Sequence, residues 1–383
     1  MKICIDIQAA VAQRAGIGRY TRALVEHLPP FAGNDELSFF YFDFMRGGEP
    51  PEVANIKRNL WLPGRLAQFC WKKLGWPPYD RFAGAFDLYH FTNFIIPPLT
   101  RGKKVVSIHD ASFLRHPEFA ENRNLAFLKS QIGNTVQRAD AIITISRFSA
   151  DEISSFFPEA RNKIHVIYPG VMEHMEQTER KSEVRDQRSE IRWQRSEVKG
   201  QQFGSMARPY LLTVGTLEPR KNISFLIEVF ENMRGFDGEL VIAGRRGWKY
   251  AAILERIASS SRTNDIRLLE DLADEELAAL YAGAELFIYP SFYEGFGFPP
   301  LESMRCGTPV ISSAGGSLKE VLGKGAMVME QYDAPQWAEA AMELVNNEGQ
   351  RQMLIENGKL QAEKYTWTEA AKQTMALYRS LAD

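Results

Sequence analysis

The residues best suited to chemistry lie in one string, EGFGFPPLESMRCGTP, at positions 294–309. It follows a short apolar run, residues 286–289, that reads as a buried strand. Glu294 therefore stands in the loop at that strand's carboxyl end. Gly295 and Gly297 let the backbone approach a ligand closely and present N–H groups to it. Pro299 and Pro300 suit the first turn of a helix, and Gly307 with Pro309 ends it. Glu302 then falls near the start of that helix. Loop N–H groups beside a helix start receive anions and hydroxyls, and carboxylates there accept hydrogen bonds from sugar hydroxyls. The plainer role for Glu302 is to complement the helix dipole, worth about 0.3–1 kcal/mol.

A second string, GTLEPRKN at 215–222, follows the strand-like run 210–214. Arg220 and Lys221 stand where the next helix begins. Arginine offers a planar fork to phosphate and lysine a point charge, so the adjacent pair suits a diphosphate. The alternative is an exposed basic pair on a loop. A third candidate is His109, in Ser107-Ile108-His109-Asp110 at the end of the run 104–108. A histidine there is placed to hydrogen-bond a substrate or to serve the structure. A fourth is the glycine loop Gly16-Ile17-Gly18-Arg19, which leads into a helical stretch and lets backbone near a phosphate. It is not a dinucleotide fingerprint, and no Walker loop, GxSxG elbow or HExxH motif is present.

These motifs need elements to hold them. Residues 2–7, 104–108, 141–145 and 164–167 read as strands, alternating with helical patterns such as 19–28. The cycle restarts with strands at 210–214, 239–243, 286–289 and 309–312, and a helix at 223–233. Such alternation predicts parallel sheets with right-handed crossovers. Two cycles predict two doubly wound α/β domains facing across a cleft, with ligands at the carboxyl ends of strands. The boundaries fall at 1–170, 171–206 and 207–365, with a last segment at 366–383.

Composition fits that architecture. The 383 residues carry 46 basic and 48 acidic side chains, a net charge of -2. That balance argues against a polybasic nucleic-acid binder. Three scattered cysteines, Cys4, Cys70 and Cys306, build neither a disulfide framework nor a zinc site. With no signal-like apolar run and no membrane-length span, a cytoplasmic protein is expected.

The charge is unevenly spread. Residues 1–170 hold 21 basic and 16 acidic groups, whereas residues 207–383 hold 18 and 25. Between them, KSEVRDQ, RSEIRWQ and RSEVKGQ repeat every seven residues from 181 to 201. One apolar position per heptad is too few for a coiled coil. The repeat reads as a solvated insertion at the hinge, with a dimerising helix as the alternative. Residues 58–82 hold five cations, one acid and three tryptophans. Basic residues interleaved with Trp suit an anionic membrane surface, and a core with a solvated rim is the alternative.

Taken together, the motifs resemble the retaining glycosyltransferases of family 4, which have the GT-B fold. EGFGFPPLE looks like that family's E-x7-E motif and GTLEPRKN like its diphosphate loop. SIHDASFLRHPE, ADAIITISRFSADEI and VIYPGV look like its N-terminal domain. TWTEAAKQTMALYRS, at 366–380, resembles the last helix, which in GT-B proteins crosses back to the first domain.

The resemblance implies roles. Arg220 and Lys221 would hold the donor's diphosphate, with Gly215 beginning their loop. Gly16 would admit donor and acceptor. Glu294 would hold the donor sugar's hydroxyls, helped by the backbone of Gly295, Phe296 and Gly297. Glu302 would bind the ribose, Leu269 would lie at the base, and His109 would contact the sugar near the reacting carbon. Relatives often carry a glycine where Glu270 stands.

No metal or other cofactor is expected, and no Asp-x-Asp motif occurs. The implied activity is hexosyl transfer, mannose from GDP-mannose, to a glycan or polyprenyl-diphosphate-linked acceptor in surface-polysaccharide assembly. The implied place is the cytoplasm, at the inner face of the membrane. The alternatives are a UDP-sugar donor, a GT-B sugar-nucleotide epimerase and a non-catalytic ligand-binding protein.

Overall fold

A computed structural model describes residues 1–13, 16–171 and 208–382. The seven-residue repeat at 181–201 lies outside the described residues. The chain divides into two compact units. The first is Met1–Gly170 with Tyr365–Asp383, and the second is Val171–Lys364.

The first unit is built on a parallel sheet of seven strands. They are β1 (Lys2–Asp6), β2 (Glu36–Phe42), β3 (Ile56–Asn59), β4 (Leu88–Phe91), β5 (Lys103–Ser107), β6 (Ala141–Thr144) and β7 (Ile164–Val166). Their order is β3-β2-β1-β4-β5-β6-β7. The second unit has six parallel strands: β8 (Tyr210–Val214), β9 (Glu239–Ala243), β10 (Ile266–Leu269), β11 (Leu286–Tyr289), β12 (Val310–Ser313) and β13 (Met327–Met329). Their order is β10-β9-β8-β11-β12-β13. Each sheet grows outward from its first strand, then returns to grow on the other side. The reversal falls between β1 and β4 in one unit and between β8 and β11 in the other. Loops leaving the two strands at such a point diverge and open a crevice.

The strands at each centre are buried on both faces, which is why they read as continuous apolar runs. All five residues of β9, ELVIA, are buried. Five strands escape the sequence pattern. β3 (IKRN) is polar because it is an edge, and β13 is a three-residue edge. β4 (LYHF) is interrupted by His90, while β2 and β10 give no alternation to follow.

The helix Trp367–Ser380 belongs to the first unit. Thr366 caps it by accepting the Glu369 N–H. Trp367 is buried, its ring meeting Tyr20 edge-on at 5.6 Å between centroids. Farther along, Arg379 donates to Asp35 and to the carbonyls of Phe31 and Ala32.

A buried polar chain fastens the same helix to the sheet. Tyr378 Oη lies 2.6 Å from His90 Nδ1, and His90 Nε2 lies 2.9 Å from Ser107 Oγ. Burial, followed by the neighbouring His109, lowers the His90 pKa to about 3, so the imidazole stays neutral. His90 is tolerated mid-strand because both ring nitrogens are satisfied. Tyr378→Phe should therefore strand one of them and lower the unfolding free energy by about 1–3 kcal/mol. Urea denaturation reads this directly, and an unchanged midpoint would contradict it.

Candidate functional site

The second unit gathers its polar groups at the carboxyl ends of β8 and β11. After β8, Gly215 begins the loop. Glu218 is extended, and Pro219–Lys221 then forms a single tight turn. Asn222 takes a left-handed conformation, φ 54°, and leads into the helix Ile223–Asn232. After β11, residues 290–297 run to Gly297, the cap of the helix Phe298–Arg305. The two loops are tied together, since Phe292 N–H donates to the Arg220 carbonyl at 2.9 Å.

Glu294 is the hub. Its Oε2 accepts Arg220 Nη1 at 2.7 Å, and its Oε1 accepts Lys221 Nζ at 2.6 Å. Oε1 also receives Ser291 Oγ at 2.7 Å and Tyr289 Oη at 2.9 Å. Arg220 is held on its other side by Glu218, whose Oε1 accepts Nε at 2.9 Å and Nη2 at 2.7 Å. Arg220 Nη1 also donates to the Tyr293 carbonyl. Both carboxylates are buried.

The electrostatics follow from the sharing. Burial alone would raise the Glu294 pKa. The charges of Arg220 and Lys221, with hydrogen bonds from Lys221 and Ser291, overcome it and hold the carboxyl at about 2. Lys221 moves less favourably. Burial first and Arg220 second lower its pKa, against the pull of Glu294 and Glu218. One carboxylate sees two cations, whereas each cation sees another cation as well, so the gain is concentrated on Glu294.

The backbone of this loop is set by its neighbour. Ser317 N–H and Oγ both donate to the Glu294 carbonyl, and Oγ reaches the Phe296 carbonyl too. Gly316, φ +68°, lies so close that a Cβ there would sit 2.3 Å from the Glu294 carbonyl oxygen. Pro299 and Pro300 occupy the first turn of Phe298–Arg305. They carry no N–H, so the donors of this helix start come chiefly from the loop around Gly295–Gly297.

The remaining candidates of this unit lie along the same strand ends. Leu269, half-buried, ends β10, and its carbonyl accepts the Gly244 N–H at 2.8 Å. Gly244 in turn packs on Gly215, whose carbonyl oxygen would lie 2.0 Å from an added Cβ. Glu270 pairs with Arg246. Glu302 is buried within its helix and accepts from Tyr281 Oη at 2.9 Å.

Gly16 and His109 lie in the first unit. Gly16 precedes the helix Ile17–His27, and its carbonyl accepts the Tyr20 N–H. The Tyr20 ring meets His109 edge-on at 4.6 Å, so the two expected residues are joined through it. His109 follows β5, and its Nε2 lies 2.9 Å from the Thr92 carbonyl beyond β4. A carbonyl only accepts, so Nε2 carries the proton. Burial lowers the His109 pKa. Nearby, Asp6 ends β1 and accepts Tyr79 Oη at 2.7 Å and the Gln8 N–H at 3.0 Å. Burial raises its pKa to about 6, against those hydrogen bonds.

Glu218, Tyr289, Ser291 and Asp6 escaped the sequence reading. Glu218 was legible inside GTLEPRKN as an acid two residues before Arg220. Tyr289 and Ser291 flank the end of a strand whose loop was already marked. Asp6 ends the first strand, where a single acid carries no pattern that marks it.

Two parallel sheets that each reverse beside polar, glycine-bearing loops make a two-unit α/β protein of GT-B architecture. The fold is similar to that of sucrose-phosphate synthase from Thermosynechococcus elongatus, with TM-score 0.72 and 18% identity, covering 100% of this chain and 99% of that one. Residues 14–173 match the model for Glycosyltransferase Family 4, and residues 195–361 match that for Glycosyl transferases group 1. The chain thus carries a Family 4 glycosyltransferase domain followed by a group 1 glycosyltransferase domain. An O-antigen chain mannosyltransferase B from Escherichia coli is 28% identical over 100% of both chains. The O-antigen chain mannosyltransferase RfbU from Salmonella typhimurium is 28% identical over 75% of this chain and 74% of its own.

The pKa of Glu294 carries a pH dependence. Its folded value, about 2, lies below the ordinary 4.5. The stability it contributes is therefore complete above pH 4.5 and is lost as pH falls toward 2. A shift of that size corresponds to something on the order of 3 kcal/mol. Glu294→Gln should be destabilised at pH 7 by about that amount, and the gap from wild type should narrow steadily below pH 4.5. Urea unfolding of both proteins across that range measures it. A gap that stays constant with pH would contradict the assignment.

Proposed function

We propose that the protein is a retaining mannosyltransferase. It moves mannose from GDP-mannose to a glycan or polyprenyl-diphosphate-linked glycan during assembly of a surface polysaccharide. The observation that carries this reading is Glu294 bridging Arg220 and Lys221 where the second sheet reverses. Full-length similarity to an O-antigen chain mannosyltransferase supports the sugar and the pathway class.

The chemistry is displacement at an anomeric carbon. The bond from that carbon to the diphosphate oxygen breaks as a bond to the acceptor oxygen forms. Negative charge grows on the departing diphosphate. Arg220 and Lys221 are positioned for that charge, because Glu294 and Glu218 already hold them in place. An incoming diphosphate competes with Glu294 for both cations. The released carboxylate then accepts hydrogen bonds from the sugar's hydroxyls, so one exchange binds both ends of the donor. The acceptor's proton passes to the leaving phosphate oxygen on the same face, which gives retention. No metal is required in this scheme, since the positive charge comes from the two side chains. His109, as a neutral Nε2–H imidazole, orders the backbone at Thr92 beside the acceptor-side loops.

Arg220→Ala and Lys221→Ala should each lower kcat by roughly 10²–10³-fold, the usual effect of losing one transition-state donor. Steady-state transfer assays check this, with the anomeric proton of the product read by NMR. Near-normal turnover in both variants would overturn the site, and an inverted product would overturn retention. Calorimetric titration should show GDP binding more tightly than UDP. The reverse order would replace the mannose donor with a UDP-sugar.

A further inference from the structure

The basic, tryptophan-rich segment is not absorbed by the transfer chemistry. Between Glu52 and Asp80 the sequence holds five Lys or Arg residues and no acid. Its centre is the helix Gly64–Leu74. Ala67 is buried, and Trp71 is half-buried against the first unit's core with its Nε1–H on the Pro77 carbonyl. These two fix which side faces inward. Leu66, Phe69 and Lys73, spaced at i, i+3 and i+7, share the outward side.

Exposure on that side is unusual. Leu66 is 47% exposed and Phe69 59%, and Leu74, the last residue of the helix, is 71% exposed. At the two ends of the helix, Trp61 is 89% exposed and Trp76 63%. Eleven large hydrophobic side chains are exposed among the described residues, and five of them lie within these sixteen positions. Lys72 and Lys73 are exposed among them, and Lys72 Nζ sits 5.6 Å from the Phe127 ring centroid. There an open groove of about 290 Å³ separates the helix from Asn122–Arg138. Its walls include Ile95, Ile96, Pro97 and Phe127, so the apolar surface continues inward.

We propose that this helix and its flanking tryptophans seat the first unit on an anionic lipid bilayer. Charge selects that occupant. Two outward tryptophans suit the headgroup level, Phe69, Leu66 and Leu74 suit the acyl boundary, and an acid-free run of cations suits anionic headgroups. A lipid-linked acceptor would then be met where it resides. The inference goes beyond the donor reading, because lipid binding is measured without sugar transfer.

The test is co-sedimentation of the full chain with vesicles of phosphatidylcholine alone or mixed equally with phosphatidylglycerol. The expected result is binding to the mixed vesicles that weakens with salt, with a blue shift of tryptophan fluorescence. Lys72→Glu/Lys73→Glu should lose at least tenfold in affinity for the mixed vesicles. Trp61→Ser/Phe69→Ser/Trp76→Ser should lose both the binding and the blue shift. All five positions are exposed, so GDP titration should be unchanged and report that the variants are folded. Wild type left in the supernatant with both vesicle types would overturn the proposal. So would equal, salt-insensitive partitioning of wild type and variants. Self-association abolished by Phe69→Ser, without vesicle binding, would assign the face to a second copy instead.

Discussion

One buried carboxylate shared between two half-buried cations governs the second unit. Glu294 draws in Arg220 from one loop and keeps Lys221, Tyr289 and Ser291 around it. Without it, two adjacent like charges would stand half-buried, where water screens them less than at the open surface. With it, and with Glu218 behind Arg220, the four charges balance. The arrangement is stable yet exchangeable. A carboxylate that holds two cations at rest can be displaced by an anion of greater charge and similar shape. In the proposed reaction that anion is a diphosphate, so the resting contacts and the catalytic ones use the same groups.

The fold supplies the place for this exchange. Both sheets reverse after three strands, and the loops that matter leave the strands on either side of the reversal. In the second unit those loops carry Arg220, Lys221 and Glu294. In the first, Asp6, Thr92 and His109 stand at the ends of β1, β4 and β5. There the helix Trp367–Ser380, last in the chain, is tied to the sheet through Tyr378, His90 and Ser107. Tyr20 links this region to His109, so the terminal helix and the glycine loop bear on the same imidazole.

Much of this was legible from residue types. The bounds of β8, β9 and β11 agree with the apolar runs, because central parallel strands are buried on both faces and their ends are sharp. Arg220, Lys221 and Glu294 were marked by the loops that hold them. Their mutual contact was not, because it joins residues more than seventy positions apart. Adjacent cations in a sequence look free, and only the packing shows Glu218 and Glu294 already upon them. His90 was missed because a histidine inside an apolar strand looks like an interruption until its partner on the last helix is seen. The three tryptophans of residues 58–82 looked alike, yet Trp71 turns inward while Trp61 and Trp76 turn out. Periodicity assigns Trp71 a face only once the helix Gly64–Leu74 has a core to pack on.

In the proposed reaction the Glu294 contacts are exchanged for donor contacts. A crystal structure of the complex with GDP-mannose tests it most directly. Diphosphate oxygens are expected within hydrogen-bond distance of Arg220 and Lys221, with the Glu294 carboxylate turned to the mannose hydroxyls. A complex in which the diphosphate lies elsewhere and both Glu294 ion pairs remain intact would contradict it.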